Sequence, residues 1–122
     1  MFYKNSLLDG NATIWYENGN IKTKGQYKNN LIDGLVTEFY DNGYKKKEIF
    51  YKNGKRDGKY TIWHNNNNKK LEAIFKDDKL DGSYYLWHND GALELNATFK
   101  NGQIIKVAGY DHNGTVFLKI ED

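Results

Sequence analysis

Hydrophobic positions along the chain fall into short runs in which apolar and polar side chains alternate, and clusters of Asn, Asp and Gly separate the runs. Ala12-Thr13-Ile14-Trp15 and Leu71-Glu72-Ala73-Ile74-Phe75 are typical: β-branched and aromatic residues dominate, as in half-buried strands. No stretch shows the 3.6-residue period of a helix. The separators include Asn18-Gly19, Asn42-Gly43, Asn53-Gly54, Asp90-Gly91 and Asn101-Gly102. These residues accept positive φ at little cost, which makes them strong local signals for tight hairpins. The pattern predicts strands joined by turns from one end of the chain to the other.

The runs also repeat. Gly10, Gly34, Gly58 and Gly82 are each 24 residues apart. A fixed period of this length marks an array of one supersecondary unit. Five residues after each Gly stands a large ring, at Trp15, Phe39, Trp63 and Trp87. A turn dipeptide follows, read as Asn18-Gly19, Asn42-Gly43, Asn67-Asn68 and Asp90-Gly91. A second ring column, Tyr27, Tyr51, Phe75 and Phe99, is followed each time by Lys, and a second turn closes the unit. The expected fold is all-β: an elongated single-layer antiparallel meander of strand-turn-strand-turn repeats. About ten strands at ~4.8 Å spacing would make it ~45 Å across.

The chain divides on this basis into a partial unit 1–9, units 10–33, 34–57, 58–81 and 82–105, and a shortened unit 106–122, all in one repeat domain. Tyr3 to Gly10 parallels Tyr27 to Gly34, so the chain opens at the close of a unit, and an upstream segment is expected to be missing. Anchoring the last unit on Asn113-Gly114 puts Tyr110 in the large-ring column, provided that the preceding turn is one residue shorter.

This order of Gly, ring, Asn-Gly, ring-Lys, Asn-Gly and Asp-Gly resembles MORN-type repeats. It is most similar to the bacterial MORN-variant family, some of whose members are labelled antitoxins of toxin–antitoxin systems. The resemblance spans Tyr3 to about Ile120, and the Asn67-Asn68 turn and the short last unit depart from it. It implies an elongated repeat sheet used as an interaction module and does not imply a catalytic set. Neutralisation of a partner by an antitoxin-like protein rests on that family label alone, and a cytoplasmic location is expected.

Composition sharpens the picture in two ways. The 122 residues include no Cys and no Pro, but 10 Tyr, 6 Phe and 3 Trp, and the mean hydropathy is −0.88. Absent Cys excludes disulfides, thiolate metal sites and Cys nucleophiles. A hydrophilic chain this rich in rings fits a thin sheet with a wet face better than a disordered chain. The formal charge of +2 falls short of a nucleic-acid signature, so no nucleic-acid partner is expected.

Two hairpin registers compete. A two-residue loop at Asn18-Gly19 would pair Tyr16 with Ile21 and Ile14 with Thr23, placing Trp15 opposite the face of Tyr27. A loop one residue longer, with a bulge, would unite Trp15, Phe39, Trp63, Trp87, Tyr27, Tyr51, Phe75 and Phe99 in one aromatic spine. The second is favoured because it gathers the two most regular ring columns.

Candidate chemistry is sparse. Tyr16, Tyr40, His64 and His88 occupy one column and are amphipathic candidates for binding. Strand spacing puts His64 and His88 ~10 Å apart, too far for a shared metal, so neither a metal nor another cofactor is expected. Lys28 with Asp33, Lys52 with Asp57 and Lys76 with Asp81 are expected to close the second turns as ion pairs. The run Lys45-Lys46-Lys47 is expected on a solvated strand face. The leading functional reading is a non-enzymatic module that binds an unidentified protein, with self-association through a sheet face or edge as a further option. The alternative is a membrane-surface or anionic-lipid adaptor using the ladder Lys4, Lys28, Lys52, Lys76 and Lys100.

Overall fold

The computed structural model describes residues 3–4 and 7–121. Two short strands, β1 (Tyr3–Lys4) and β2 (Leu7–Leu8), form a separate hairpin. A main sheet follows: β3 (Gly10–Trp15), β4 (Ile21–Lys28), β5 (Leu31–Ile32), β6 (Gly34–Phe39), β7 (Lys45–Lys52) and β8 (Lys55–Trp63), then β9 (Lys69–Lys76), β10 (Lys79–Trp87), β11 (Leu93–Lys100), β12 (Gln103–Tyr110) and β13 (Val116–Glu121). Ten of these strands lie side by side in chain order with no crossover, and β5 pairs beside β4. Every pairing is antiparallel. The fold is the expected single open meander. Among the described residues there is no helix, and so none long enough to cross a membrane.

Two kinds of turn alternate. The first is a five-residue loop closed at its base by backbone bonds. Tyr16 N–H donates to Asn20 O and Gly19 N–H to Tyr16 O, while the Asn18 side chain accepts from Asn20 N–H. Such an Asx turn is why Asn or Asp stands at this position. The same bonds recur around Asn42, Asn66 and Asp90. In the third copy Asn66 makes the Asx bond and Asn67 takes the positive φ of 74°. The turn dipeptide is therefore Asn66-Asn67, one residue earlier than the sequence reading placed it. The second kind is a two-residue turn at Asn29-Asn30, Asn53-Gly54, Asp77-Asp78 and Asn101-Gly102, both members with positive φ. It matches the twist of the flanking strands.

The registers decide which side chains share a face. Ile14 pairs with Thr23, but Trp15 pairs with Ile21, leaving Lys22 as a bulge. Identical shifts precede Phe39, Trp63 and Trp87. A second irregularity lies at each Asp-Gly. Tyr51 pairs with Arg56 and Ile49 with Tyr60, which leaves two residues more on β8 than on β7. In the last unit Phe99 pairs with Ile104 and Thr98 with Lys106, so only one residue is extra there. Tyr110 takes the ring column, pairing with Val116 across the same kind of shift. The residue missing from that unit is thus lost from this bulge; the turn at Asn101-Gly102 is intact, against the expectation of a shortened turn.

The expected common spine is not formed. Phe75 lies 5.2 Å from Tyr60 and Phe99 5.4 Å from Tyr84, on one face. Trp87 stacks on Tyr85 at 5.7 Å, and Tyr84 and Tyr85, being consecutive, point to opposite faces. Tyr27, Tyr51, Phe75 and Phe99 therefore share the core face, whereas Trp15, Phe39, Trp63 and Trp87 occupy the reverse, here called the tryptophan face. The expected bulge does form, at Lys22, but it lies on the turn side of the pair Ile14–Thr23 and leaves the ladder from that pair to Tyr27 unshifted. The pair Ile14–Thr23 keeps the alternation of the first register, and alternation alone sets the face.

One row crosses the core face: Ala12 beside Gly25, then Val36, Ile49, Tyr60, Ala73, Tyr84, Ala97, Val107 and Ile120. Its interior members Ile49, Ala73, Ala97 and Val107 are only 7%, 1%, 7% and 8% exposed. Small residues alternate with rings, so Tyr60, Phe75, Tyr84 and Phe99 cover the alanines between them. On the tryptophan face only Thr37, Thr61 and Ala108 are buried among the described residues.

Backbone shape fixes the Asp-Gly bulges. Gly82 has φ of 125°, and a Cβ there would sit 3.2 Å from Ile74 Cβ. Gly82→Ala is expected to cost roughly 1–3 kcal/mol in urea unfolding. Gly91→Ala, with φ of 95° but nothing within 4 Å of the added carbon, should cost less.

Candidate interaction surface

The tryptophan face carries most of the exposed apolar side chains. Leu35 pairs directly with Phe50, and Ile74 follows with Lys59 opposite it. Leu35 and Phe50 are each 45% exposed and Ile74 36%. Leu31, also exposed, lies against the next second turn, where a Cβ on Gly54 would come 3.3 Å from its Cδ2. Four large apolar groups thus form a strip across β5 to β9. Sequence reasoning missed this strip. The available signal was the column Gln26, Phe50, Ile74 and Thr98, where apolar residues enter an otherwise polar position.

Lysines flank the rings on the same face. Lys24 Nζ lies 5.7 Å from the Phe39 ring centre and Lys45 Nζ 5.8 Å from that of Trp63, within cation–π range. Lys45 also bonds Glu48 at 3.0 Å, while Glu72 receives Lys69 at 2.6 Å and Lys59 at 3.6 Å. The Lys45-Lys46-Lys47 run is accordingly divided: Lys46 lies over Tyr40, and Lys47 reaches Glu38 and Tyr60. Lys69 holds the Glu72 carboxyl below its ordinary range through a hydrogen bond; partial desolvation opposes this, and Lys59 adds to the lowering.

Other candidate pairs are rearranged. Asp33 accepts from Asn53 N–H of the next unit, and Lys28 makes no ion pair with it. Lys52 and Asp57, and likewise Lys76 and Asp81, are not paired either. The ion pair at the second turns is Arg56 with Asp78, at 2.7 Å, which joins adjacent units and leaves Asp78 with a lowered pKa. Arg56 also lies over the Phe75 ring at 4.4 Å. Lys28, Lys52, Lys76 and Lys100 remain exposed along one side of the sheet. The side chain of Lys4 lies outside the described residues.

The column proposed for binding has a structural task. Tyr16 Oη donates to Phe39 O at 2.6 Å, and Tyr40 Oη to Trp63 O at 2.7 Å. His64 Nε2 meets Trp87 O at 3.1 Å. Each tip caps the carbonyl of the large-ring residue in the following unit. His88 departs from the series. Its ring stacks on His112 at 3.8 Å and its Nδ1 lies 3.2 Å from Glu94, leaving Nε2 buried without a partner. Asp111 takes the corresponding turn position in the last unit, which frees His112 to stack. Among the described residues no three His, Asp or Glu converge on one point.

Comparison with known families adds one finding. Residues 8–29 and 32–53 each match the model of the MORN repeat variant, consistent with a MORN-type repeat protein. The two matches are offset by the 24-residue period, and β8 to β11 repeat the same turns and registers beyond them. No curated protein matches the chain.

Two outcomes follow from these contacts. Tyr40→Phe leaves the Trp63 carbonyl without its donor and is expected to cost about 1 kcal/mol by chemical denaturation. The lowered Glu72 pKa means that its stabilising contribution is fully present above the ordinary value of 4.5 and is lost as pH falls through the lower folded value. Glu72→Gln should therefore flatten the acid limb of a stability-against-pH curve and lower stability at neutral pH.

Proposed function

We propose that this chain is a non-enzymatic repeat module that binds another protein through the tryptophan face, anchored by Leu31, Leu35, Phe50 and Ile74. The observation that carries the reading is this strip, which stays open on a sheet that has no second layer among the described residues. A contiguous exposed apolar patch is a hallmark of an interaction surface. The surrounding lysines and carboxylates supply the polar rim that such a patch needs. Antitoxin-like neutralisation of a partner in the bacterial cytoplasm is the specific form that the family resemblance suggests. The MORN-variant matches support an interaction role in general.

One observation favours a second reading. Lys28, Lys52 and Lys76 are released from the ion pairs expected of them, and together with Lys100 they line the side of the sheet next to the apolar strip. An exposed basic ladder beside apolar groups suits anionic lipid.

Leu35→Ser with Phe50→Ser tests the first reading. Far-UV circular dichroism should be unchanged, since both side chains are exposed. Capture of the partner from a lysate of the native host should fall about tenfold or more, and wild-type capture should persist from low to moderate salt. Unchanged capture by the double variant would overturn the assignment of the strip. Sedimentation with phosphatidylserine vesicles that is lost in Lys28→Glu, Lys52→Glu, Lys76→Glu would favour the lipid reading instead.

A further inference from the structure

The two open edges of the sheet are the two halves of an interface that the chain already makes between its own units. At each internal junction a long strand receives the strand that opens the next unit. Lys47 stands opposite Ile62, Glu48 opposite Thr61 and Ile49 opposite Tyr60. At one edge, β3 ends in Thr13-Ile14-Trp15, the same tripeptide as the Thr61-Ile62-Trp63 that β7 receives. At the other edge, β13 occupies the place of a receiving strand, with Ile120 in the column of Ile49.

Exposure shows what each edge lacks. Ile49 is 7% exposed with β8 beside it, whereas Ile120 in the same column is 57% exposed. Ile14 and Trp15 are 58% and 59% exposed, while Ile62, Trp63, Leu86 and Trp87 in their columns are partly buried. The β1–β2 hairpin makes the same argument. Its pairs Tyr3–Leu8 and Lys4–Leu7 reproduce Tyr27–Ile32 and Lys28–Leu31, the far end of a long strand and its return. In β4 the residues ahead of that far end are Ile21–Gln26. β13, Val116–Glu121, covers those same positions at the opposite edge. A protein that stays monomeric usually guards such an edge with charge, and β3, Gly-Asn-Ala-Thr-Ile-Trp, has none.

We propose that a second copy of this chain docks head to tail. β13 of one molecule pairs antiparallel with β3 of the next, continuing the register of the internal junctions. Leu118 then stands opposite Ile14 of the neighbour, Lys119 opposite Thr13, and Ile120 opposite Ala12. The contact joins two different surfaces and so propagates in one direction, building an open linear assembly.

Ile14→Lys blocks one edge and Ile120→Lys the other, and both positions are solvent-exposed in the single chain, so circular dichroism should match wild type. In sedimentation velocity the wild-type mass should climb with concentration beyond a dimer. Each variant alone should remain monomeric, because it retains only one working edge. An equal mixture should reach about twice the mass of either variant and stop there, since only one junction can form. A wild-type chain that is monomeric at every concentration overturns the proposal. So does either variant dimerising alone, which would indicate like edges pairing with like, or a mixture that stays monomeric.

Discussion

In a sheet one layer thick, each strand is held only by the two strands beside it, so the register between neighbours carries most of the weight that a packed core carries elsewhere. In this protein one register recurs at each fully paired junction, where a long strand meets the strand that opens the next unit. Burial of the Ile49, Ala73 and Ala97 column depends on that pairing, and the tips of Tyr16, Tyr40 and His64 reach across the same step to cap carbonyls. Stability is then close to a sum of unit terms and nearest-neighbour terms, as in other repeat arrays. Where the neighbour is absent, at β3 and β13, the same columns become surface.

Separating the ring columns between faces has a functional consequence. The core face combines Tyr60, Phe75, Tyr84 and Phe99 with alanines that they cover. On the reverse, the tryptophan column shares its surface with ion pairs and lysines, and Leu35, Phe50 and Ile74 stand among them. A sheet with all eight rings on one side would have had one greasy face and one soluble face. The observed division gives a stabilising face and a mixed face suited to recognition.

The irregularities are as regular as the strands. Both bulges return in successive units, and in the last unit the second bulge, at Ile105, has one residue fewer while the turns and the ring column stay in place. Bulges absorb a length change more cheaply than ladders because their extra residues make no pair that must be broken. His88 belongs to the same junction: with Asp111 in the turn, His112 stacks where an inter-unit hydrogen bond would otherwise form, and a buried nitrogen is left unsatisfied.

The sequence by itself determined the 24-residue period, the strand composition of each run, the two turn sites per unit and the order of the strands, because Asn-Gly chemistry and alternating hydrophobicity act over a few neighbouring residues. It also placed Tyr110 in the ring column. Only the tertiary structure decided which face each column occupies, that Asn66 and not Asn67 closes the third turn, and that Asp78 and not Asp57 takes the cation at the second turn. The reason is arithmetic. Side-chain direction in a strand depends on whether an odd or even number of residues separates two positions, counted only over those that pair. Which residues drop out into a bulge is settled between strands, and composition along one strand does not record it.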